Sequence, residues 1–167
     1  ENMFAIHNIP PIYNQDSQIL ILGSFPSVKS REAQFFYHHP QNRFWKVLAT
    51  LYHHEPLLTI EEKKNFLLEN HIALWDVIQS CDIHGSSDSS IQNVFVNDIA
   101  GLLKDTHITH IYTNGKKAHQ LYMKYCYELT HQKDICLPST SPANAAYSLD
   151  KLLIEWQQIC QEFMESS

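Results

Sequence analysis

The 167-residue sequence has few of the features that mark fibrous, membrane or low-complexity proteins. Only 4 glycines and 7 prolines argue against a collagen-like or disordered chain, and 44% hydrophobic residues are typical of a globular domain. No apolar run approaches the ~20 residues that a membrane-spanning helix needs, and the sequence does not start with a signal-peptide pattern. We therefore expect one cytoplasmic domain, residues 1–167, with no membrane partner.

The sequence also lacks the close cysteine and histidine spacings of metal and redox sites. It has four isolated cysteines and no CxxC pair. The histidine pairs at 38–39 and 53–54 are adjacent residues, which rarely bind one ion, and no third ligand is suitably spaced. We predict free thiols, no metal and no cofactor. The cysteines are Cys81, Cys126, Cys136 and Cys160.

Basic residues are the minority among the charges. There are 12 Lys and Arg against 18 Asp and Glu, for a net charge of −6 with histidine neutral. This balance argues against a protein that coats nucleic acid irrespective of sequence, but it allows a local basic patch.

Four short apolar runs have the composition of strands buried in a parallel sheet. They are residues 19–22, 72–78 with a break at Asp76, 108–112 and 135–137. Each is separated from the next by enough chain for a helical crossover. The sequence therefore predicts an α/β fold, a three-layer αβα sandwich around a mainly parallel four-stranded sheet.

Helical spacing and capping signals fill the first connection. Apolar residues from Phe44 to Leu51 fall on one helical face, and Thr59 with Glu62 forms a capping box for a second helix. Gly, Ser and Asp residues at 84–90 predict a loop.

Two more helices are predicted in the second half of the chain. Asn114 is placed to cap a helix whose apolar stripe extends to Leu129. Ser141 and Pro142 have the residue types of an N-cap and a first turn, which predicts a long final helix reaching Phe163.

In such sheets a ligand usually lies beyond the carboxyl ends of the strands. The segments at these ends are residues 23–27, 75–76, 114–115 and 138–141. The first leads into a stretch of aromatic rings and amides at residues 35–45, which suits a flat polar ligand such as a nucleobase. The last combines three hydroxyls with a predicted helix start, which suits a phosphate oxygen.

Three motifs carry a family resemblance over nearly the whole chain. They are Gly-Ser-Phe-Pro-Ser at 23–27, His-Pro-Gln-Asn-Arg-Phe-Trp at 39–45 and Leu-Pro-Ser-Thr-Ser-Pro-Ala-Asn at 137–144. They resemble motifs of the uracil-DNA glycosylase superfamily, and their spelling is most similar to the hypoxanthine-DNA glycosylase, or DNA-deoxyinosine glycosylase, family.

The resemblance implies a monofunctional enzyme of base excision repair, without a lysine Schiff base. Such an enzyme flips the damaged nucleotide out of the duplex, holds the base, and lets water attack the sugar. Hypoxanthine is the expected base and uracil the second choice. Extrusion is easiest at a mispair, so inosine opposite thymine or uracil opposite guanine would be favoured. We expect a monomer whose partner is DNA containing a deaminated base.

The resemblance also implies an unusual catalytic group. Most superfamily members have an Asp or Asn in the first motif, where this sequence has Phe25. The catalytic role is then expected at Asn42, in the His-Pro-x-Asn stretch. Because an amide is not a strong base, Asn42 would orient water and contact the developing sugar cation. Branches with an iron–sulfur cluster have paired cysteines before the first motif, and no cysteine precedes Cys81 here, so no cluster is predicted.

The remaining site residues implied by the resemblance fall into two groups. Those expected to bind the base are Gly23, Ser24, Phe25, Phe36, Tyr37, Trp75 and Asp76. Those expected to bind DNA are Ser27, Arg43, Pro138, Ser139, Thr140 and Ser141. Basic residues near these motifs, which would offset the acidic net charge, are Lys29, Arg31, Arg43, Lys46, Lys116 and Lys117.

Three alternatives remain open at this point. Asn42 could simply cap the helix that starts near Phe44, since Asn is a common N-cap. The missing motif acid also allows a catalytically weak module that binds damaged or abasic DNA. An α/β hydrolase that uses Ser24 or a histidine is the third alternative, although Pro26 and Ser27 do not fit a nucleophile elbow.

Overall fold

The computed structural model of the protein describes residues 2–6, 9–84 and 91–160. The strands are β1 (Asn2–Ile6), β2 (Ile19–Gly23), β3 (Ile72–Asp76), β4 (Ile78–His84), β5 (Ile91–Val96), β6 (His110–Asn114) and β7 (Asp134–Leu137). The helices are α1 (Val28–Ala33), α2 (Phe44–Leu51), α3 (Ile60–Glu69), α4 (Ile99–Lys104), α5 (Lys116–Tyr125), α6 (Tyr127–Thr130) and α7 (Leu149–Trp156).

The central sheet has four strands in the order β3-β2-β6-β7, and all three pairings are parallel. Every residue of β2 is buried, as expected for a strand covered on both faces. The register pairs Gly23 with Asp76 and Asn114 with Leu137. The carboxyl ends of all four strands therefore meet at one edge of the sheet.

Helices cover both faces of this sheet. Ile19 and Ile21 of β2 pack with residues of α2, α3 and α7, whereas Leu20 and Leu22 pack with residues of α4 and α5. The alternation follows from the two-residue period of a strand. The predicted three-layer sandwich is confirmed.

Residues 72–78, predicted as one strand, belong to two strands in different sheets. Asp76 ends β3, and two residues later Ile78 begins β4, which pairs with β1 and β5 in an antiparallel sheet. This second sheet is not predicted from the sequence. Its β4–β5 register shifts between Ile78 and Ser80 and again between Ser80 and Asp82, which removes the regular alternation that marks a half-buried strand.

The first two predicted helices are confirmed. α2 spans Phe44–Leu51, and α3 starts directly after Thr59. The Thr59 Oγ1 atom accepts a hydrogen bond from the Glu62 backbone nitrogen at 3.0 Å, and its hydroxyl donates to Glu62 Oε1 at 3.0 Å. The loop predicted at residues 84–90 begins where β4 ends, and residues 85–90 lie outside the described part of the chain.

The predicted start and length of the third helix are wrong. Gly115 at φ +99°, not Asn114, is the N-cap residue of α5, and Asn114 is the last residue of β6. α5 ends at Tyr125. Leu129, predicted to lie on its apolar stripe, belongs to the separate short helix α6 and is 69% exposed.

The predicted start of the last helix is also wrong. α7 begins at Leu149, and the Ser148 side chain accepts a hydrogen bond from the Lys151 backbone nitrogen. Ser141 and Pro142 lie in the preceding loop. Phe163, the predicted end of the helix, lies outside the described residues.

Candidate active site

The carboxyl edge of the parallel sheet carries two segments that we name here. The Gly23 turn comprises residues 23–27, directly after β2, and the Pro-Ser loop comprises residues 138–147, directly after β7. Asp76 ends β3 beside Gly23, and Asn114 ends β6 beside Leu137. The fold thus brings together all four segments that were predicted to lie at the strand ends.

Gly23 has no room for a side chain. A Cβ atom on this residue would lie 2.3 Å from Asp76 Oδ1 and 2.7 Å from Tyr37 Oη, both far closer than van der Waals contact. Asp76 is only 3% exposed. Glycine at this position therefore allows a carboxylate and a phenol to meet over the end of β2.

Tyr37 connects the Gly23 turn to α2. Its ring stacks on Phe44, with the ring centroids 4.1 Å apart and the planes at 22°. Burial raises the pKa of the Tyr37 hydroxyl, the negative charge of Asp76 raises it further, and the polar Asn114 side chain nearby opposes both. Tyr37 thus presents a neutral phenol near Asp76 and Asn114.

The other rings predicted to bind the base differ in how accessible they are. Phe36 is 1% exposed and belongs to the core, and its carbonyl accepts a hydrogen bond from Trp45 Nε1 at 3.2 Å. Phe25 is partly buried beneath the Arg31 guanidinium, which lies 5.3 Å from the ring centroid. Trp75 is half-buried and contacts both core clusters. The structure therefore favours Tyr37 over Phe36 as the ring near the strand ends.

Asn42 is held by two hydrogen bonds to one atom. Its Oδ1 accepts from the Phe44 backbone nitrogen at 2.9 Å and from the Thr140 hydroxyl at 2.8 Å. The N-cap residue of α2 is Arg43, which makes no side-chain capping bond. Asn42 therefore does satisfy a backbone group at the start of α2, and it also contacts the Pro-Ser loop 98 residues away.

Thr140 links two asparagines. Its hydroxyl accepts a hydrogen bond from Asn114 Nδ2 at 3.0 Å, and its backbone nitrogen donates to Asn114 Oδ1 at 3.0 Å. Thr140 has no exposed surface. The expected phosphate contact of this side chain is not supported, because the hydroxyl is buried between Asn42 and Asn114.

Arg43 also faces the protein. Its backbone nitrogen donates to the Thr140 carbonyl at 3.1 Å. Its guanidinium donates to the carbonyl oxygens of Ser141 at 3.1 Å, Asn144 at 3.2 Å, and Tyr147. These donors are occupied by the Pro-Ser loop, so the structure supports a role in shaping that loop rather than the expected direct contact with DNA.

The hydroxyls of the Pro-Ser loop form local turns. Ser139 Oγ accepts from the Ser141 backbone nitrogen, and Ser141 Oγ accepts from that of Ala143, both at 3.1 Å. The Pro138 carbonyl accepts from Trp156 Nε1 at 2.9 Å, which ties the start of the loop to α7. Ser139 and Ser141 stay partly exposed and can still meet a ligand.

On the other side of the edge, the Ser27 side chain caps α1 by accepting from the Ser30 backbone nitrogen at 3.2 Å. Ser27 is exposed, and Ser24 is partly exposed. The exposed lysines Lys29, Lys46 and Lys116 lie in the helices α1, α2 and α5 that follow the site segments.

The role that the sequence predicts for Asn114 is wrong. An Asn before an amphipathic run predicts a helix cap, whereas the side chain instead bonds to the Pro-Ser loop. Its place at the end of a buried strand, opposite a Pro-Ser segment, is the signal that could have indicated this role.

The described residues contain no cluster of three or more His, Cys, Asp or Glu side chains arranged to hold a metal ion. Within residues 2–6, 9–84 and 91–160, no helix is long and apolar enough to cross a membrane.

This sheet edge combines a phenol, a buried carboxylate and two hydrogen-bonded asparagines beside a Pro-Ser loop, an arrangement that suits the flat polar edge of a nucleobase. The sequence matches the family model of the uracil DNA glycosylase superfamily over residues 10–162. The chain belongs to this superfamily and is a DNA glycosylase.

Individual relatives agree with this assignment. A hypoxanthine DNA glycosylase of Methanosarcina acetivorans is 32% identical over 152 residues, which are 90% of this chain and 94% of that protein. A hypoxanthine DNA glycosylase of Methanosarcina barkeri is 31% identical over 112 residues, 65% of this chain and 70% of that protein. The solution NMR structure of a candidate uracil DNA glycosylase from Methanosarcina acetivorans superposes with a TM-score of 0.82 at 31% identity. The superposed region covers 97% of this chain and 99% of the archaeal chain.

Proposed function

We propose that this glycosylase is monofunctional and removes a deaminated base from DNA, with hypoxanthine in deoxyinosine as the main substrate and uracil as a secondary one. The observation that carries the proposal is Asn42, whose amide is anchored through Thr140 to Asn114 at the end of β6, in a chain with Phe25 in place of the usual motif acid. The names of the two similar archaeal proteins also support hypoxanthine.

Asp76 supplies a physical reason for preferring a deaminated base over its parent base, adenine or cytosine. An ionised carboxylate accepts hydrogen bonds and cannot donate them. Hypoxanthine and uracil both carry a ring N–H that can donate to it, whereas adenine has an acceptor at N1. With Asp76 and the Tyr37 phenol converging over Gly23, we assign these three residues to the base-binding site.

The proposed reaction is hydrolysis of the glycosidic bond. After the nucleotide is flipped out, the bond from C1′ to the base breaks and its electron pair goes to the base. The oxygen of a water molecule bonds to C1′ and releases a proton, and the departing base takes up a proton. We assign the phosphate contacts to Ser27, Ser139 and Ser141, with exposed lysines adding positive charge.

The test is base release from end-labelled duplexes that each contain one hypoxanthine, uracil or xanthine, read by alkaline cleavage at the abasic site. We expect cleavage at hypoxanthine to be fastest and to fall at least about 100-fold in Asn42→Ala, as for other lost electrostatic contacts to a transition state. Asn70→Ala is the matched control, because the Asn70 side chain donates a hydrogen bond to the Phe66 carbonyl at the end of α3, away from the strand ends.

Full activity in Asn42→Ala would contradict the catalytic assignment. Tight binding of the duplexes without release of any base would instead support the damaged-DNA binding module. The expectations of a monomer and of a cytoplasmic location stay predictions.

A further inference from the structure

The side chain of Asn42 has one oxygen and one nitrogen, and the structure determines which is which. The Phe44 backbone N–H can only donate, so the atom it contacts is the amide oxygen. A carbonyl oxygen has two lone pairs, and here the second accepts the Thr140 hydroxyl. Both acceptor positions of Asn42 are therefore used inside the protein.

The amide nitrogen of Asn42 is the group left for a substrate. Among the described residues, no acceptor takes a hydrogen bond from Nδ2, and this nitrogen is not one of the buried side-chain atoms left without a partner. Nδ2 carries two donor hydrogens and no acceptor lone pair in an amide.

The direction of the bond to Thr140 is fixed from the other side as well. The Thr140 backbone N–H donates to Asn114 Oδ1, which makes the remaining Asn114 group the NH₂ that donates to the Thr140 hydroxyl. The hydroxyl has one proton, and it goes to Asn42. A one-way chain thus runs from Asn114 through Thr140 to Asn42, with backbone N–H groups at both ends.

We propose that Thr140 is a positioning residue that occupies the Asn42 oxygen and leaves Asn42 to act on the substrate as a hydrogen-bond donor. This inference rests on the proposed function and replaces the expectation that Asn42 orients the attacking water. A donor bound to a water lone pair would weaken that water as a nucleophile. The leaving base gains negative charge as the bond breaks, and a donor aimed at it stabilises the transition state.

Asn42→Asp separates the two roles. Aspartate can keep one oxygen on Phe44 and Thr140, and it exchanges only the donor NH₂ for a second oxygen. A donor role predicts that single-turnover base release from deoxyinosine DNA falls at least about 100-fold near pH 7, as in Asn42→Ala. It also predicts partial recovery as the pH is lowered towards ~4, because a protonated carboxyl can donate. Activity within tenfold of the wild type at pH 7, or a rate that rises as the carboxyl ionises, would overturn the donor assignment.

Thr140→Val tests the positioning role, with Thr140→Ser as the variant that keeps the hydroxyl. We expect the valine variant to lose about tenfold in single-turnover rate with its dissociation constant for the duplex unchanged, and the serine variant to stay within about twofold. In an Asn42→Ala background, Thr140→Val should cause no further loss, because its effect passes through Asn42. Additive losses, or equal rates in valine and wild-type proteins, would contradict the positioning role.

A readout without substrate keeps this test separate from the proposed function. If the wild-type protein released no base, the proposed function would fail, but the Asn42 side-chain NH₂ signals could still be followed by ¹⁵N NMR in the DNA-free protein. Thr140→Val should shift and broaden these signals, and Thr140→Ser should preserve them. Unchanged signals in a folded valine variant would show that Thr140 does not hold Asn42.

Discussion

The Gly23 turn and the Pro-Ser loop lie at the same edge of the sheet, but different forces shape them. The Gly23 turn depends on close packing, since Asp76 and Tyr37 occupy the space that a side chain at position 23 would need. The Pro-Ser loop depends on hydrogen bonds from outside it, donated by Arg43, Asn114 and Trp156. The Gly23 turn should therefore tolerate the loss of a polar atom but not the addition of a carbon atom. The second should show the opposite sensitivity.

Arg43→Met should have the largest effect on stability. The change keeps much of the side-chain volume and removes the donors to the carbonyls of Ser141, Asn144 and Tyr147. Because hydrogen bonds to a charged group contribute more than neutral ones, we expect the free energy of unfolding to fall by about 3 kcal/mol. Urea denaturation measures it.

Lys46→Met is the control for this change, since Lys46 is an exposed cation in α2. It should stay within about 0.5 kcal/mol of the wild type. Equal stability of the two variants would mean that the guanidinium does not hold the Pro-Ser loop.

Gly23→Ala adds one carbon to the packed turn. The new methyl group must displace the Asp76 carboxylate or the Tyr37 hydroxyl, and overpacking of this kind costs about 2 kcal/mol. We also expect base release to fall, because both displaced groups belong to the proposed base site. Thermal unfolding and the duplex assay measure the two effects.

Gly101→Ala provides a matched substitution away from the site. Its Cβ would lie 2.3 Å from a carboxylate oxygen of Asp98, the N-cap residue of α4, so it also crowds a carboxylate. We expect some loss of stability and no loss of base release. An equal loss of base release in both alanine variants would contradict the assignment of Gly23 to the base-binding site.

Tyr37→Phe should matter mainly at high pH. The folded-state pKa of Tyr37 is raised by burial above its ordinary value near 10, so the phenol stays protonated while the unfolded chain ionises. The contribution of Tyr37 to the free energy of unfolding is fully present below pH 10. Above pH 10 it falls by about 1.4 kcal/mol per pH unit. The phenylalanine variant should lack this part of the slope and match the wild type at pH 7 within about 1 kcal/mol.

Denaturation at several pH values between 8 and 11 measures the difference between the two slopes. Parallel curves for the two proteins would show that Tyr37 ionises equally in the folded and unfolded states.

Ser148→Ala should have a smaller effect, about 1 kcal/mol, because it removes the side-chain cap of α7 where the Pro-Ser loop ends. Ser141→Ala is the control, because the Ser141 side chain accepts a hydrogen bond from the Ala143 backbone nitrogen within the loop and does not cap α7. Helix-start signals in the sequence favour Ser141 as the cap, so a larger loss of stability in Ser141→Ala would contradict the structure.

Sequence patterns predicted the layers of the fold but not every element. Buried parallel strands are short and wholly apolar, and α2 and α3 have clear apolar faces or caps, so both kinds of element can be recognised locally. The antiparallel sheet was not predicted, because the register shifts in β4 disrupt the alternation of apolar and polar residues that marks a half-buried strand. The starts of α5 and α7 were misjudged because Asn114 and Ser141 have the residue types of caps but bond elsewhere.

The site motifs, including Asn42 and the Pro-Ser segment, could also be recognised in the sequence, because a family motif consists of consecutive residues. The structural roles of Arg43 and Thr140 could not be predicted from the sequence in the same way. Arg and Thr in such motifs suggest phosphate ligands, and only the directions of their side chains show that they bind the protein itself.

Local spacing was thus sufficient for the fold class, the approximate places of the four parallel strands along the chain and the segments at the sheet edge. Whether Asn42 offers an oxygen or a nitrogen to its substrate depends on Thr140, 98 residues further along the chain, and on Asn114, 26 residues before Thr140. Hydrogen-bond direction is a property of atoms brought together by folding, and no spacing of residue types along a chain specifies it.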